Sequence, residues 1–136
     1  MPSNIIIPVL HYINLDQAID WLCKCFGFKH RWRVGNHRAQ LSYAGGTIAV
    51  TEMSDKSKGD FNLQQHSILV RVDNVNKHFE NSSSHGVEII QTPSDLPFGE
   101  RQYSVRDIGG HLWTFSESIK DVIPEDWGGT SVNLTL

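Results

Sequence analysis

Hydrophobic and polar positions run through the same order twice along this chain. Residues 5–12 are an apolar run that reads as a buried strand. Helical period follows. Leu15, Ala18, Ile19, Leu22 and Phe26 form one apolar stripe, with Asn14 placed as N-cap and Gly27 as the stop. The period then drops to two. Phe28, His30, Trp32 and Val34 alternate with Lys29, Arg31 and Arg33, and Ala39, Leu41 and Tyr43 alternate with Arg38, Gln40 and Ser42. Residues 47–51 are a further strand, and Gly35-Asn36 and Gly45-Gly46 mark tight turns between members of an antiparallel meander. Residues 54–65 are polar and aperiodic and read as a linker. The second half predicts a strand over 66–72, a helix from Asn74-Val75 to Ser84, and strands over 87–92, 100–106 and 111–117. That helix is weakly specified, because Ser82-Ser83-Ser84 is poor helix-forming material. Residues 92–100 carry two prolines and are expected as a long loop.

Asn14-Leu15 recurs as Asn74-Val75, and Gly45-Gly46 recurs as Gly109-Gly110. One β-α-β-β-β unit therefore occurs twice, over about 4–53 and 66–118, in a single domain followed by a tail over 119–136. A unit with one helix covers only one face of its sheet, so the other face awaits a ligand, a partner or the second unit. A chain of 136 residues has room for one ordinary domain and for no separate catalytic module. Twelve basic and fifteen acidic residues give a net charge of −3, which offers no general attraction to nucleic acid or acidic lipid. No apolar run approaches the ~20 residues that span a bilayer, and the first residues do not read as a signal peptide. Cys23 and Cys25 fit neither a redox pair nor a disulfide framework and are expected as thiols in a reducing cytoplasm.

Two stretches carry a resemblance. They are Ala18-Ile19-Asp20-Trp21-Leu22 through Phe26-Gly27-Phe28, and Gly99-Glu100-Arg101-Gln102-Tyr103 through Asp107-Ile108-Gly109-Gly110-His111-Leu112-Trp113. With them the chain resembles the vicinal-oxygen-chelate superfamily, the group of glyoxalase I, extradiol dioxygenases, fosfomycin-resistance enzymes and bleomycin-resistance proteins. Ile108 stands where the family's turn usually has Pro. The resemblance implies an α+β fold: two βαβββ units form a cup-shaped, mostly antiparallel sheet with helices on the convex face. It also implies homodimers that sometimes exchange units. In metal-dependent members it implies ligands on the concave face, at positions that here hold Ile7, Ser67, Val50 and Thr114. Ile and Val offer no lone pair, and hydroxyls are poor zinc or nickel ligands beside imidazole, carboxylate and thiolate. No metal and no cofactor are expected on those positions. His66 has the parity of the helix-covered face, and a site built from Glu52, His66 and His11 stays open.

Strand parity assigns Ile7, Val9 and His11, Arg38, Gln40 and Ser42, and Ile48, Val50 and Glu52 to the concave face. From the second unit it adds Ser67, Leu69 and Arg71, Gln102, Ser104 and Arg106, and Leu112, Thr114 and Ser116. From these come the ligand-binding candidates Arg38, Gln40, Glu52, Ser67, Gln102, Ser104 and Thr114, with Trp32 at the rim to stack a flat ring. His111 shares the parity of Trp113 and Phe115 and is expected to pack under the helix or cap a turn, and Trp127 to pin the tail. No acid–base–nucleophile set stands out. The leading expectation is a metal-independent protein that sequesters a small molecule, with a homodimer, no nucleic-acid partner and no membrane. The alternatives are a metal-dependent lyase, isomerase or thiol transferase of the glyoxalase I or fosfomycin-resistance type, and a non-enzymatic interaction module.

Overall fold

A computed structural model describes residues 6–53 and 66–132. The first five residues, the predicted linker at 54–65 and the last four residues lie outside the described residues. The element order is β1 (Val9–Tyr12), α1 (Leu15–Phe26), β2 (Lys29–Val34), β3 (Arg38–Tyr43) and β4 (Gly46–Glu52). It then repeats as β5 (Ser67–Arg71), α2 (Val75–Ser84), β6 (Glu88–Leu96), β7 (Glu100–Arg106) and β8 (Leu112–Ser118). The strands make two four-stranded sheets, ordered β1-β4-β3-β2 and β5-β8-β7-β6. The first strand of each unit runs parallel to the last, and the other pairs are antiparallel. This is the α+β arrangement of paired βαβββ units.

Both helices start by the same device. Asn14 Oδ1 accepts from Gln17 N and Asn74 Oδ1 from Lys77 N, each at 3.0 Å. A carboxylate from the end of the last strand takes one further orphan donor: Glu52 accepts from Leu15 N at 3.1 Å, and Glu117 from Val75 N at 2.8 Å. At the far end of α1, Gly27 takes φ 81° and its N–H bonds back to Cys23 O. The serine-rich helix α2 survives its poor propensity because Ser82 turns inward. Its fully buried hydroxyl bonds Tyr103 OH at 2.9 Å, while Ser83 and Ser84 stay exposed.

The two units share one aromatic core. Phe26, the last residue of α1, packs against Trp113 and Phe115 of β8 at 5.1 and 4.9 Å between ring centroids. His78 of α2 lies over Phe115 at 4.2 Å, and its ring nitrogens reach Tyr103 OH and Phe26 O. At the other end of the seam, the Asp107 carboxylate is 6% exposed and takes four donors. Tyr12 OH (2.6 Å) and Trp113 Nε1 (2.9 Å) reach one oxygen, and the backbone N–H groups of Gly109 and His111 (2.9 Å each) reach the other. Gly109 is required there, because a Cβ would come within 2.7 Å of the Tyr12 ring. His111 packs edge-on to Tyr12 at 5.0 Å and its Nε2 bonds the His11 carbonyl at 2.9 Å, so its ring is spent on the seam, and the side chain that caps the turn is that of Asp107.

Four expectations are corrected. The first strand begins only at Val9. The loop expected at 92–100 is mostly strand: β6 runs to Leu96, pairs with Glu100, and tolerates Pro93 because it is an edge strand broken by register shifts. Alternation in β2 is interrupted by a register shift between His30 and Trp32. In β4 the faces are inverted, as described below. The tail forms one 3-10 turn, Pro124–Trp127, and Trp127 packs on Phe98 at 5.6 Å between centroids.

Two expected outcomes follow. Asp107→Ala, which strands four buried donors, lowers the unfolding free energy in urea by ~3–5 kcal/mol, against ~1 kcal/mol for Tyr12→Phe. Burial holds the His78 imidazole below its ordinary value, and the bond to Phe26 O opposes this more weakly. The unfolded chain therefore takes up this proton first as pH falls. Stability from neutral His78 is complete above about pH 6.5 and is lost below it, with a slope of at most ~1.4 kcal/mol per pH unit. Urea midpoints between pH 7.5 and 5 should fall less for His78→Gln than for the wild type, and parallel curves would refute this.

Candidate functional site

Each sheet has one face under a helix and one open face. On the first sheet, the register Val9↔Ala49, His11↔Thr51, Arg38↔Thr51 and Gln40↔Ala49 places these six side chains together on the open face. Ile48 and Val50 pair with Leu41 and Ala39 and are buried beneath α1. The concave assignment of Ile48, Val50 and Glu52 is therefore wrong by one residue, and Thr47, Ala49 and Thr51 take their places. The physical reason is turn length. Ser42 pairs with Thr47 across four residues, whereas its counterpart Arg106 pairs with Leu112 across five, the turn that Asp107 caps. A count carried from one unit to the other slips by that extra residue, and a slip of one exchanges the faces. Glu52 belongs to the helix-covered side, where it caps α1.

The shift in β2 has the opposite consequence. Trp32 pairs with Gln40, and the indole Nε1–H donates to Gln40 Oε1 at 3.1 Å. Trp32 remains 37% exposed on the open face, while Gln40 is 4% exposed beneath it. Arg33 on the other side bonds Asp16 of α1 at 2.6 Å. The same shift recurs in β6 between Ile89 and Gln91, which makes Gln91, paired with Ser104, the counterpart of Trp32. Bulges of this kind re-aim side chains beside sites. Arg38 stands exposed at the start of β3 on the same face as Trp32.

The second open face follows the predicted parity throughout. Ser67, Leu69 and Arg71 of β5 lie beside Leu112, Thr114 and Ser116 of β8, which lie beside Arg106, Ser104 and Gln102 of β7. Ser104 and Thr114 share a hydroxyl–hydroxyl bond of 2.9 Å. Gln102 Nε2 donates to Ser116 Oγ at 3.1 Å, Ser116 Oγ donates to Glu100 Oε1, and Arg71 Nη2 bonds Glu100 Oε2 at 2.9 Å. Glu100 is the residue that sequence reasoning missed. It opens the predicted strand 100–106 and shares the parity of Gln102, but it also closes the stretch 92–100 that two prolines mark as a loop, and no face is assigned to it from sequence. Trp32, Arg38 and Gln40 thus gather on one sheet, and Ser67, Gln102, Ser104 and Thr114 on the other.

The open faces keep large apolar side chains in view: Val9 is 41% exposed, Val34 60% and Leu69 60%. A cleft of about 380 Å³ opens at the seam between β5 and the β3–β4 turn, lined by Ile6, Pro8, Phe28, Tyr43, Leu69 and Trp113 among others. None of the eight predicted site residues lines it.

A metal ion does not fit the residues at the positions the resemblance implies. With Leu69 paired to Thr114 and Val9 to Ala49, the first-unit counterpart of Thr114 is Ala49 rather than Val50. Ile7 and Ala49 have no donor atom, the Thr114 hydroxyl is engaged with Ser104, and Ser67 is a lone hydroxyl. The open alternative also separates: His11 is on the open face, Glu52 on the other, and His66 is exposed ahead of β5. Among the described residues no group of three or more His, Cys, Asp or Glu is arranged to hold a metal ion. No helix among them is long and apolar enough to cross a membrane.

Paired βαβββ units with these open faces define a class, and a family model bears it out. The model of the glyoxalase/bleomycin resistance protein/dioxygenase superfamily matches residues 9–115, and the chain belongs to that superfamily. Among solved structures it is similar to TioX from Micromonospora sp. ML1, with 32% identity, 88% of this chain and 100% of TioX covered, and a TM-score of 0.70. The fold is shared with a glyoxalase/bleomycin resistance protein/dioxygenase from Alicyclobacillus acidocaldarius (14% identity, 88% and 95% covered, TM-score 0.68). It is shared too with a mutant of the fosfomycin resistance protein FosX from Listeria monocytogenes (18% identity, 85% and 90% covered, TM-score 0.68). That mutant is complexed with Mn(II) and 1S,2S-dihydroxypropylphosphonic acid. No curated protein matches the chain significantly.

One expected outcome tests the reassigned carboxylate. Glu52→Ala lowers stability by ~1 kcal/mol, the size of a lost helix cap, and Glu117→Ala does the same. Thermal melts of both variants check it.

Proposed function

We propose that this protein binds and sequesters a small planar molecule without a metal, on the open faces of its two units. The observation that carries the reading is the pairing of a fixed aromatic platform, Trp32 held by Gln40, with the lack of a ligand-type side chain at Ile7, Ala49, Ser67 and Thr114. The floor between the polar groups is apolar and small, formed by Val9, Ala49, Leu69 and Leu112, as small-molecule sites commonly are. Trp32, Arg38, Gln102, Ser104, Thr114 and Ser67 are the contact residues, and Gln40 acts from beneath the indole. The working unit is a homodimer in the cytoplasm. Cys25 is buried and Cys23 half-buried, and burial and Asp20 push both thiols up, which suits residues that stay reduced.

The decisive experiment is metal content after incubation with zinc, nickel or manganese and desalting. The expected result is far less than one ion per chain, followed by stabilisation in a thermal-shift screen of aromatic molecules. Retention near one ion per chain overturns the reading in favour of a metal-dependent lyase, isomerase or thiol transferase. Trp32→Ala should weaken any planar ligand found in the screen by about tenfold, the weight of one aromatic contact.

A further inference from the structure

The four polar groups at one end of the second open face form a chain of fixed direction. Glu100 is ion-paired with Arg71, and its carboxylate can only accept hydrogen bonds. Ser116 must therefore spend its single proton on Glu100 Oε1, as it does. That leaves the buried Ser116 oxygen with lone pairs alone, so its neighbour Gln102 presents Nε2 to it. The carboxamide is locked with its nitrogen toward the sheet, and Oε1 is left turned away from Ser116 on the half-exposed side chain. The adjacent pair Ser104–Thr114 has no such direction, since either hydroxyl can donate.

Resting on the small-molecule reading above, we infer that Gln102 Oε1 is a specificity determinant that selects a planar ligand bearing an N–H donor, with Glu100 and Ser116 as positioning residues. An unsatisfied acceptor facing a ligand rejects a second acceptor and rewards a donor. Arg71 neutralises Glu100, so the preference resides in the orientation of the carboxamide rather than in net charge.

The probes are indole and benzofuran, neutral flat bicycles of nearly equal size, the first presenting an N–H donor and the second only an acceptor oxygen. Their dissociation constants are measured by ligand-observed NMR on the full chain. The wild type is expected to favour indole by about tenfold, the weight of one hydrogen bond. Gln102→Leu should abolish that preference without altering charge. Glu100→Gln, which frees Ser116 and lets the carboxamide turn, should reduce it. Equal binding of both probes by the wild type overturns the inference and leaves the binding reading standing. A preference that survives Gln102→Leu also overturns it. Binding of neither probe overturns both. Thermal melts of the variants separate a lost contact from a lost fold.

Discussion

The buried carboxylate of Asp107 holds this structure in order. An anion taken out of water costs several kcal/mol unless its lone pairs are filled. Here two side-chain donors and two backbone donors fill them. The Tyr12 phenol is one of the four, and burial together with the Asp107 charge raises it well above its usual range, so it remains a donor. Tyr12 belongs to the first unit, and Asp107 to the turn before the last strand of the second. One carboxylate thus closes a turn, anchors a strand and joins two halves of the chain. Phe26, His78 and the aromatic rings of β8 complete the join from the helix side.

With that side of each sheet consumed by packing, chemistry is left to the open faces. They are built differently in the two units. The first carries an indole clamped from below and an exposed guanidinium; the second carries a hydrogen-bonded band from Arg71 to Gln102. The fold is shared with a manganese-bound mutant of a fosfomycin resistance protein, whereas the side chains here at the places the family resemblance implies for metal ligands are aliphatic or hydroxylic. The scaffold is common property, and the activity depends on what stands on it.

Much of this was legible along the chain. Asn14, Gly27, Asn74 and the alternation of β7 and β8 act through near neighbours, so their roles could be read where they stand. Three features were hidden. Asp107 meets Tyr12 across 95 residues, a partnership no local pattern reveals. The extra residue in its turn displaced the inferred face of β4 and misplaced Glu52. The shift beside Arg31 leaves no mark in a tally of apolar and polar positions, because a bulge uses ordinary residues. On the second sheet, where neither complication intervenes in β7 and β8, every face was assigned correctly.

The bulge in β2 gives the open face room for a change in length. A substitution at Arg31 alters one exposed side chain. Deleting that single codon would restore strict alternation with the pairs His30↔Leu41 and Trp32↔Gln40 kept, so Trp32 and Val34 would stay on the open face and Arg33 on the helix side. Because β6 carries the same irregularity, each half of the molecule holds one residue that could be lost without exchanging its faces. A residue gained elsewhere in β2 would instead exchange the faces beyond it, a larger change of contact groups than any single replacement.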